Sequence, residues 1–259
     1  MNETLNIALI ATDIIPQDKE KNLTNIGSSL EKIEKGTDIV VLPELFSTGF
    51  IKDVDKISDA AEPVSGKTMQ ILHSYADKFG FAIAGSYLCK VANSILNRGF
   101  FIEPGGDEYF YDKKHLFSLS PEKTLLDPGY NRSPIIRYRG WNISMIICYD
   151  LRFPAWCRNI NNGYDLLLVP ANWPNARAYA WKQLLIARAI ENQAYIAGAN
   201  RSGKDNFGEY NDLSFIFNPT GEPIGKQKDT IVYATLSKKA IDDIRKYLPV
   251  INDADHFEI

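Results

Sequence analysis

Trp141-Asn142-Ile143-Ser144-Met145-Ile146-Ile147-Cys148-Tyr149-Asp150-Leu151-Arg152-Phe153-Pro154 passes from an almost wholly apolar run into a polar, proline-punctuated one. A short apolar run of this kind, bounded by turn residues, reads as a buried central strand. It delivers Cys148 at its end, before a turn into a helix predicted over residues 152–163. In layered α/β proteins the crevice outside the strand ends is where ligands bind. The first N–H groups of a helix have no internal partner, so the Tyr149 N–H is placed to stabilise an oxyanion formed by attack of Cys148.

The pattern repeats on either side. Apolar, β-branched runs at 5–11, 38–42, 81–88, 135–138, 165–169, 194–199 and 214–218 predict further strands. Residues 97–102 and 108–111 predict a hairpin around Pro104-Gly105-Gly106-Asp107. Helical spacing predicts helices over 22–35, 66–79, 178–192 and from Lys238 to Tyr247. Residues 116–130 read as irregular, Gly203-Lys204-Asp205 as turn material, and the chain beyond Pro249 as extended and arm-like. Helices alternating with strand pairs in both halves predict an α/β fold, a four-layer sandwich of two sheets covered by helices. No linker or low-complexity segment divides residues 1–259, so one domain is expected, with the tail as a C-terminal arm.

Composition bounds the function. The chain has 259 residues, 45% hydrophobic and 24% charged, with 29 lysines plus arginines against 32 acidic residues and a net charge of -3. Without a basic excess, neither nucleic acid nor an anionic membrane is expected as the main partner. The first apolar run is too short to cross a bilayer and lacks the basic flank of a signal peptide. Three cysteines, Cys89, Cys148 and Cys157, show no paired spacing, and a reducing cytoplasm is expected. The histidines are His73, His115 and His256, too scattered to make a thiolate–imidazole zinc site. No glycine-rich phosphate loop or dinucleotide fingerprint is present, so no metal and no cofactor is expected.

Chemistry then concentrates at strand ends. Pro43 cannot donate to a ladder, so the strand over 38–42 stops and leaves Glu44 at its tip among apolar neighbours. Burial there would raise the carboxyl pKa towards the range of a general base. In Tyr109-Phe110-Tyr111-Asp112-Lys113-Lys114-His115-Leu116-Phe117, Lys113 or Lys114 could stand beside these groups and favour an anionic intermediate. A cysteine–histidine pair would need a histidine, and His115 alone lies near a suggestive segment.

Three motifs in this order carry a resemblance: Leu42-Pro43-Glu44, Tyr111-Asp112-Lys113-Lys114-His115-Leu116 and Cys148 to Pro154. Along nearly its whole length the chain resembles the nitrilase-like carbon–nitrogen hydrolase family. The resemblance implies an α-β-β-α sandwich, pairing into a homodimer, and a Glu44–Lys113–Cys148 triad in which the lysine is the first of the pair. It implies Glu122 as a second glutamate near the lysine, and Asn172-Trp173-Pro174 as a pocket-lining segment. Residues 188–193 match a segment taken as structural, and Asn211-Asp212-Leu213-Ser214 departs from the family's usual glycine before a small residue.

The Cys148–Pro154 and Ala171–Pro174 segments most resemble the compact bacterial omega-amidases. That branch implies a small-molecule substrate, the monoamide of a 2-oxo dicarboxylic acid such as 2-oxoglutaramate or 2-oxosuccinamate. Such a substrate needs a cationic anchor for its carboxylate. Arg177 is the candidate, with Trp173 beside it and Arg201 and Arg152 next in line. Other amidases, N-carbamoyl-amine hydrolases and nitrilases would keep the triad and change the pocket. A non-catalytic protein on the same fold would be marked by loss of a triad member.

Overall fold

The computed structural model describes residues 3–255. In β1 (Thr4–Ile10), Leu5, Ile7 and Leu9 enter one apolar core while Ala8 and Ile10 enter another. β2 (Ile39–Val41) does the same, with Ile39 and Val41 on one side and Val40 on the other. Strands apolar on both faces need cover on both faces, which dictates a layered molecule.

The first sheet adds β3 (Ala82–Val91), β4 (Ser94–Ile102), β5 (Glu108–Asp112), and the late strands β13 (Lys226–Lys228) and β14 (Ile231–Ser237). Its order is β13-β14-β1-β2-β3-β4-β5. The second sheet holds β6 (Ile136–Tyr138), β7 (Trp141–Met145), β8 (Leu166–Ala171), β9 (Tyr195–Asn200) and β12 (Phe215–Phe217), in the order β12-β9-β8-β7-β6. In each sheet three adjacent strands run parallel, β1-β2-β3 and β7-β8-β9, flanked by antiparallel ones.

Parallel neighbours need crossovers, and helices supply them. α1 (Lys19–Leu30), α2 (Val54–Ala60) and α3 (Lys67–Phe79) belong to the first half, and Leu23, Ile26, Met69 and Leu72 of α1 and α3 pack on the first sheet. α4 (Glu122–Leu125) and α5 (Pro154–Cys157) are single turns, and α6 (Ala178–Asn192) covers the second sheet. Gly198 of β9 lets α6 come close: a Cβ there would lie 2.7 Å from Leu185 and 2.8 Å from Trp181. α7 (Lys238–Tyr247) follows β14 and buries Ile241. Between the sheets, Ile7 and Leu9 of β1 meet Ile143, Met145, Leu168 and Ala197 in one core. The fold is therefore the expected nitrilase-like sandwich, α-β-β-α.

Several local expectations are corrected. The helix predicted over 22–35 starts at Lys19 and stops at Leu30, because the Asp18 side chain caps it by accepting from the Lys21 N–H at 3.1 Å. The helix predicted over 152–163 breaks into α5 and a 3-10 turn, Ile160–Asn162, with Asn161 and Asn162 at positive φ. The Asn159 carboxamide causes the break. It accepts from the Tyr164 N–H at 3.0 Å and donates to the Tyr164 and Asn192 carbonyls, competing with the helix ladder. Residues 203–205 are not a turn but lie in β10 (Ser202–Asp205), which pairs with β11 (Gly208–Asn211) as a hairpin. The irregular stretch 116–130 contains α4, and the chain after Pro249 is a 3-10 turn, Val250–Asp253, with Ile251 buried. His256 lies outside the described residues.

Candidate active site

Strand ends from both sheets converge on one point. After β2, Leu42 still donates to the Ala84 carbonyl at 2.7 Å, and Leu45 donates to Ser86 Oγ at 2.9 Å. With Pro43 offering no N–H, the chain turns between these two anchors, Leu45 adopts φ 47°, and Glu44 is aimed into the interior. Lys113 follows β5. Its N–H donates to the Asn97 carbonyl at 3.0 Å and its carbonyl accepts from Gly129 at 2.8 Å. Only glycine fits at 129, since a Cβ would lie 2.1 Å from the Asp112 oxygen.

Cys148 sits at φ 45°, a left-handed conformation that non-glycine residues rarely adopt. Such strain costs on the order of 1–3 kcal/mol and persists only where the surroundings enforce it. Here the enforcing group is the buried Asp150 carboxylate. It accepts from the Ile147 N–H at 3.1 Å, Tyr111 OH at 2.7 Å, and the His115 N–H and Nδ1 each at 2.8 Å. The cysteine turn is thus bolted to the segment that carries Lys113. No backbone acceptor takes the Tyr149 N–H among the described residues.

At the centre, Glu44 and Lys113 are 0% and 1% exposed and form an ion pair of 2.7 Å. Lys113 Nζ also donates to both oxygens of Glu122, at 2.8 and 2.9 Å. Its three donors are therefore all engaged by carboxylates. Asn97 Nδ2 bridges Glu44 Oε1 at 2.8 Å and Glu122 Oε1 at 3.2 Å. Glu44 Oε2 accepts from the Asn172 N–H at 3.0 Å, and the Cys148 thiol lies beside the same carboxylate. Glu122 also accepts from the Phe117 N–H at 2.8 Å.

The electrostatics follow from burial. Desolvation raises the Glu44 carboxyl above its ordinary value against the pull of Lys113, with Glu122 adding to the rise. Desolvation, reinforced by Glu44, pushes the Cys148 thiol well up, with Lys113 opposing. Burial would lower the Lys113 ammonium, but Glu122 and Glu44 outweigh it and hold the lysine charged. Burial also pushes the Cys157 thiol up to about 12 and raises Cys89. These directions favour the protonated form of the Cys148 thiol, which would need a base to become reactive.

A cavity of about 290 Å³ opens onto Cys148 and Lys113. Tyr149, Trp173 and Arg177 line it, as do Arg152, Phe117 and, from the loop after β2, Phe50. Phe207, at the tip of the β10–β11 hairpin, packs edge-on against Phe50 with centroids 5.5 Å apart. The Arg177 guanidinium lies 5.1 Å over the Phe117 ring and that of Arg152 4.8 Å over Trp173. Arg201 is buried and held by Asp205, Asp13 and the Ile14 carbonyl, so it is no anchor for a ligand. His115 does not line the cavity. It stacks on Phe153 at 3.7 Å and holds Asp150. Among the described residues no group of three His, Cys, Asp or Glu side chains could hold a metal ion.

Sequence reasoning assigns no role to Asn97, Asp150 or Phe207. Asp150, a carboxylate two residues past a strand-end cysteine, carries the signal of a side chain capping its own turn. Asn97 and Phe207 carry no local signal, because what they touch is distant in the chain.

The carbon-nitrogen hydrolase family model matches residues 6–246. The chain is 40% identical over 259 residues to omega-amidase YafV of Escherichia coli (strain K12), covering 98% of each. It is 32% identical over 252 residues to the 2-oxoglutaramate amidase of Bacillus subtilis (strain 168), covering 95% of this chain and 96% of that one. Among solved structures, a CN-hydrolase superfamily protein of Xanthomonas campestris, with an arsenic adduct in its active site, superposes with TM-score 0.92 at 35% identity over 100% of both chains. Saccharomyces cerevisiae Nit3 shares the fold, with TM-score 0.82 at 24% identity over 96% of each chain. By these matches across nearly its full length, the chain belongs to the carbon–nitrogen hydrolase family and is a hydrolytic enzyme.

Proposed function

We propose that the enzyme cleaves the terminal amide of a small 2-oxo dicarboxylic acid monoamide, with 2-oxoglutaramate and 2-oxosuccinamate as substrates, through a Cys148 thioester. One observation carries this reading: the cavity has Cys148 and Lys113 in its lining, the lysine paired to the fully buried Glu44, together with two guanidiniums, Arg177 and Arg152. Among the described residues both guanidiniums lie over aromatic rings and neither is ion-paired to a carboxylate, so both are available to an anionic ligand. The names borne by the Escherichia coli and Bacillus subtilis relatives support the same substrate class.

Glu44 Oε2 takes the thiol proton as sulfur attacks the amide carbon. The carbonyl oxygen becomes an oxyanion held by the Tyr149 N–H. Since the three Lys113 donors are occupied, the lysine acts through its fixed charge, which low dielectric strengthens. Glu44 returns the proton to the departing nitrogen and ammonia leaves, with the acyl group on sulfur. Glu44 then removes a proton from water, which attacks the thioester, and the acid departs as the Cys148 thiol re-forms. Glu122 keeps Lys113 in place throughout.

Arg177 grips the distal carboxylate and Trp173 walls the methylene chain. Steady-state kinetics of Arg177→Met test this. kcat/KM for 2-oxoglutaramate should fall by at least ~10-fold, while a neutral amide of similar length is nearly unaffected. Equal losses on both substrates would contradict the assignment. Carbon dioxide released with ammonia would point instead to a carbamoyl substrate. The working form proposed is a homodimer in the cytoplasm, and no helix among the described residues is long and apolar enough to cross a membrane.

A further inference from the structure

Two carboxylates and two nitrogen donors alternate in the buried centre: Glu44 Oε1, Lys113 Nζ, Glu122 Oε1 and Asn97 Nδ2. Lysine supplies the charge, but its donors are exhausted by the two acids. Asn97 supplies the remaining link. It is fully buried on β4, and its own backbone carbonyl accepts from the Lys113 N–H at 3.0 Å. Among the described residues its Oδ1 has no partner, so the hydrogen bonds of its side chain are the two that Nδ2 makes to the carboxylates.

We propose that Asn97 is a positioning residue for the hydrolytic reaction: by donating to Glu44 Oε1 it fixes that carboxylate so that Oε2 alone faces the Cys148 thiol. The proposal rests on the reading of Glu44 as general base. A carboxylate can rotate about its terminal torsion, and that torsion is soft. With Lys113 and Asn97 both on Oε1, and only the Asn172 N–H on Oε2, the two oxygens are assigned different work. A neutral donor also suits this place better than a second cation. Two ammoniums would balance the acids and remove the negative field that helps Glu44 accept a proton.

Removing the donor has a readable consequence. The titratable groups facing Glu44 are Lys113 after β5, Glu122 on α4 and Cys148 after β7. None of them changes in an Asn97 variant, whereas a hydrogen bond to the ionised form of Glu44 is lost. The acid limb of the kcat/KM–pH profile should therefore move to higher pH.

The experiment measures kcat/KM against pH on a primary-amide substrate for wild type, Asn97→Leu, Asn97→Asp and Glu44→Gln, with thermal unfolding as the folding check. Asn97→Leu is expected to lose about 10-fold or more, mainly in kcat, with the acid limb displaced upward. Asn97→Asp, equal in size but adding a third acid, should be worse still. A purely structural asparagine would give the opposite ranking and an unmoved limb. An acid limb unmoved in Asn97→Leu, or activity within about 2-fold of wild type, overturns the proposal. Should Asn97→Leu fail to fold, Asn97→Ser carries the same comparison, its hydroxyl being too short to span both acids. Glu44→Gln separates the two levels. If it is inactive while the limb stays put in the Asn97 variants, only the Asn97 proposal falls. If it is active, the reading of Glu44 as base falls first.

Discussion

At Cys148 two facts meet, a positive φ and a thiol pushed well up by burial. The first is a stability cost located at the proposed nucleophile, and it is measurable. Alanine at φ 45° keeps most of the strain, while glycine adopts that conformation freely. Cys148→Gly should therefore be more stable than Cys148→Ala by about 1 kcal/mol, both being inactive. Urea denaturation of the two variants checks it, and an equal or reversed order would show that Asp150 does not enforce strain there. Sequence made Glu44 and Cys148 candidates because each stands where an apolar strand meets a proline or a turn, whereas Lys113 was set apart from Lys114 only by resemblance. Glu122 entered only by resemblance, since Ser120-Pro121-Glu122-Lys123 looks like surface loop, yet it is 4% exposed. Asn97 was illegible for a plainer reason: on β4 it looks like one more inward position, and its partners lie 53 and 25 residues away.

Among the elements, strands and long helices with clean periodicity were legible to within a few residues, as in α3 and α6. What failed did so where side chains overrule the backbone pattern. Asn159 ends the helix expected over 152–163, and Asp18 moves the start of α1 to Lys19. The β10–β11 hairpin hid behind short, glycine-containing sequence, although it brings Phe207 to the cavity. These elements also present the surface proposed for pairing with a second copy. Ile160 of the 3-10 turn is 53% exposed, Ile190 of α6 50% and Leu248 after α7 51%. α6 and α7 are tied together by Gln193 Nε2 donating to the Leu248 carbonyl at 2.6 Å. Exposed apolar side chains on neighbouring elements mark an association surface. Light scattering should give twice the chain's 29.2 kDa, and Ile190→Asp should shift the equilibrium to the monomer. A wild-type monomer at micromolar concentration would contradict the homodimer.

The whole molecule is two similar half-sandwiches face to face, and their strand ends supply a site that neither sheet holds alone. Glu44 and Lys113 come from the first sheet, Cys148 and Asn172 from the second. Layering was legible because apolar strands alternate with amphipathic helices. The meeting of the sheets was not, since it depends on which faces pack between distant segments, as with Glu44 and Asn172, 128 residues apart. A net charge of -3 leaves no broad attraction for the anionic substrate proposed, so that reading requires local guanidiniums to do the work. The covalent step is the centre of the mechanism proposed. Acid quenching during turnover of 2-oxoglutaramate, followed by peptide mass spectrometry, should find the acyl group, substrate minus ammonia, on Cys148 and none in Cys148→Ala. An adduct on Cys89 or Cys157, or full turnover by Cys148→Ala, would contradict it.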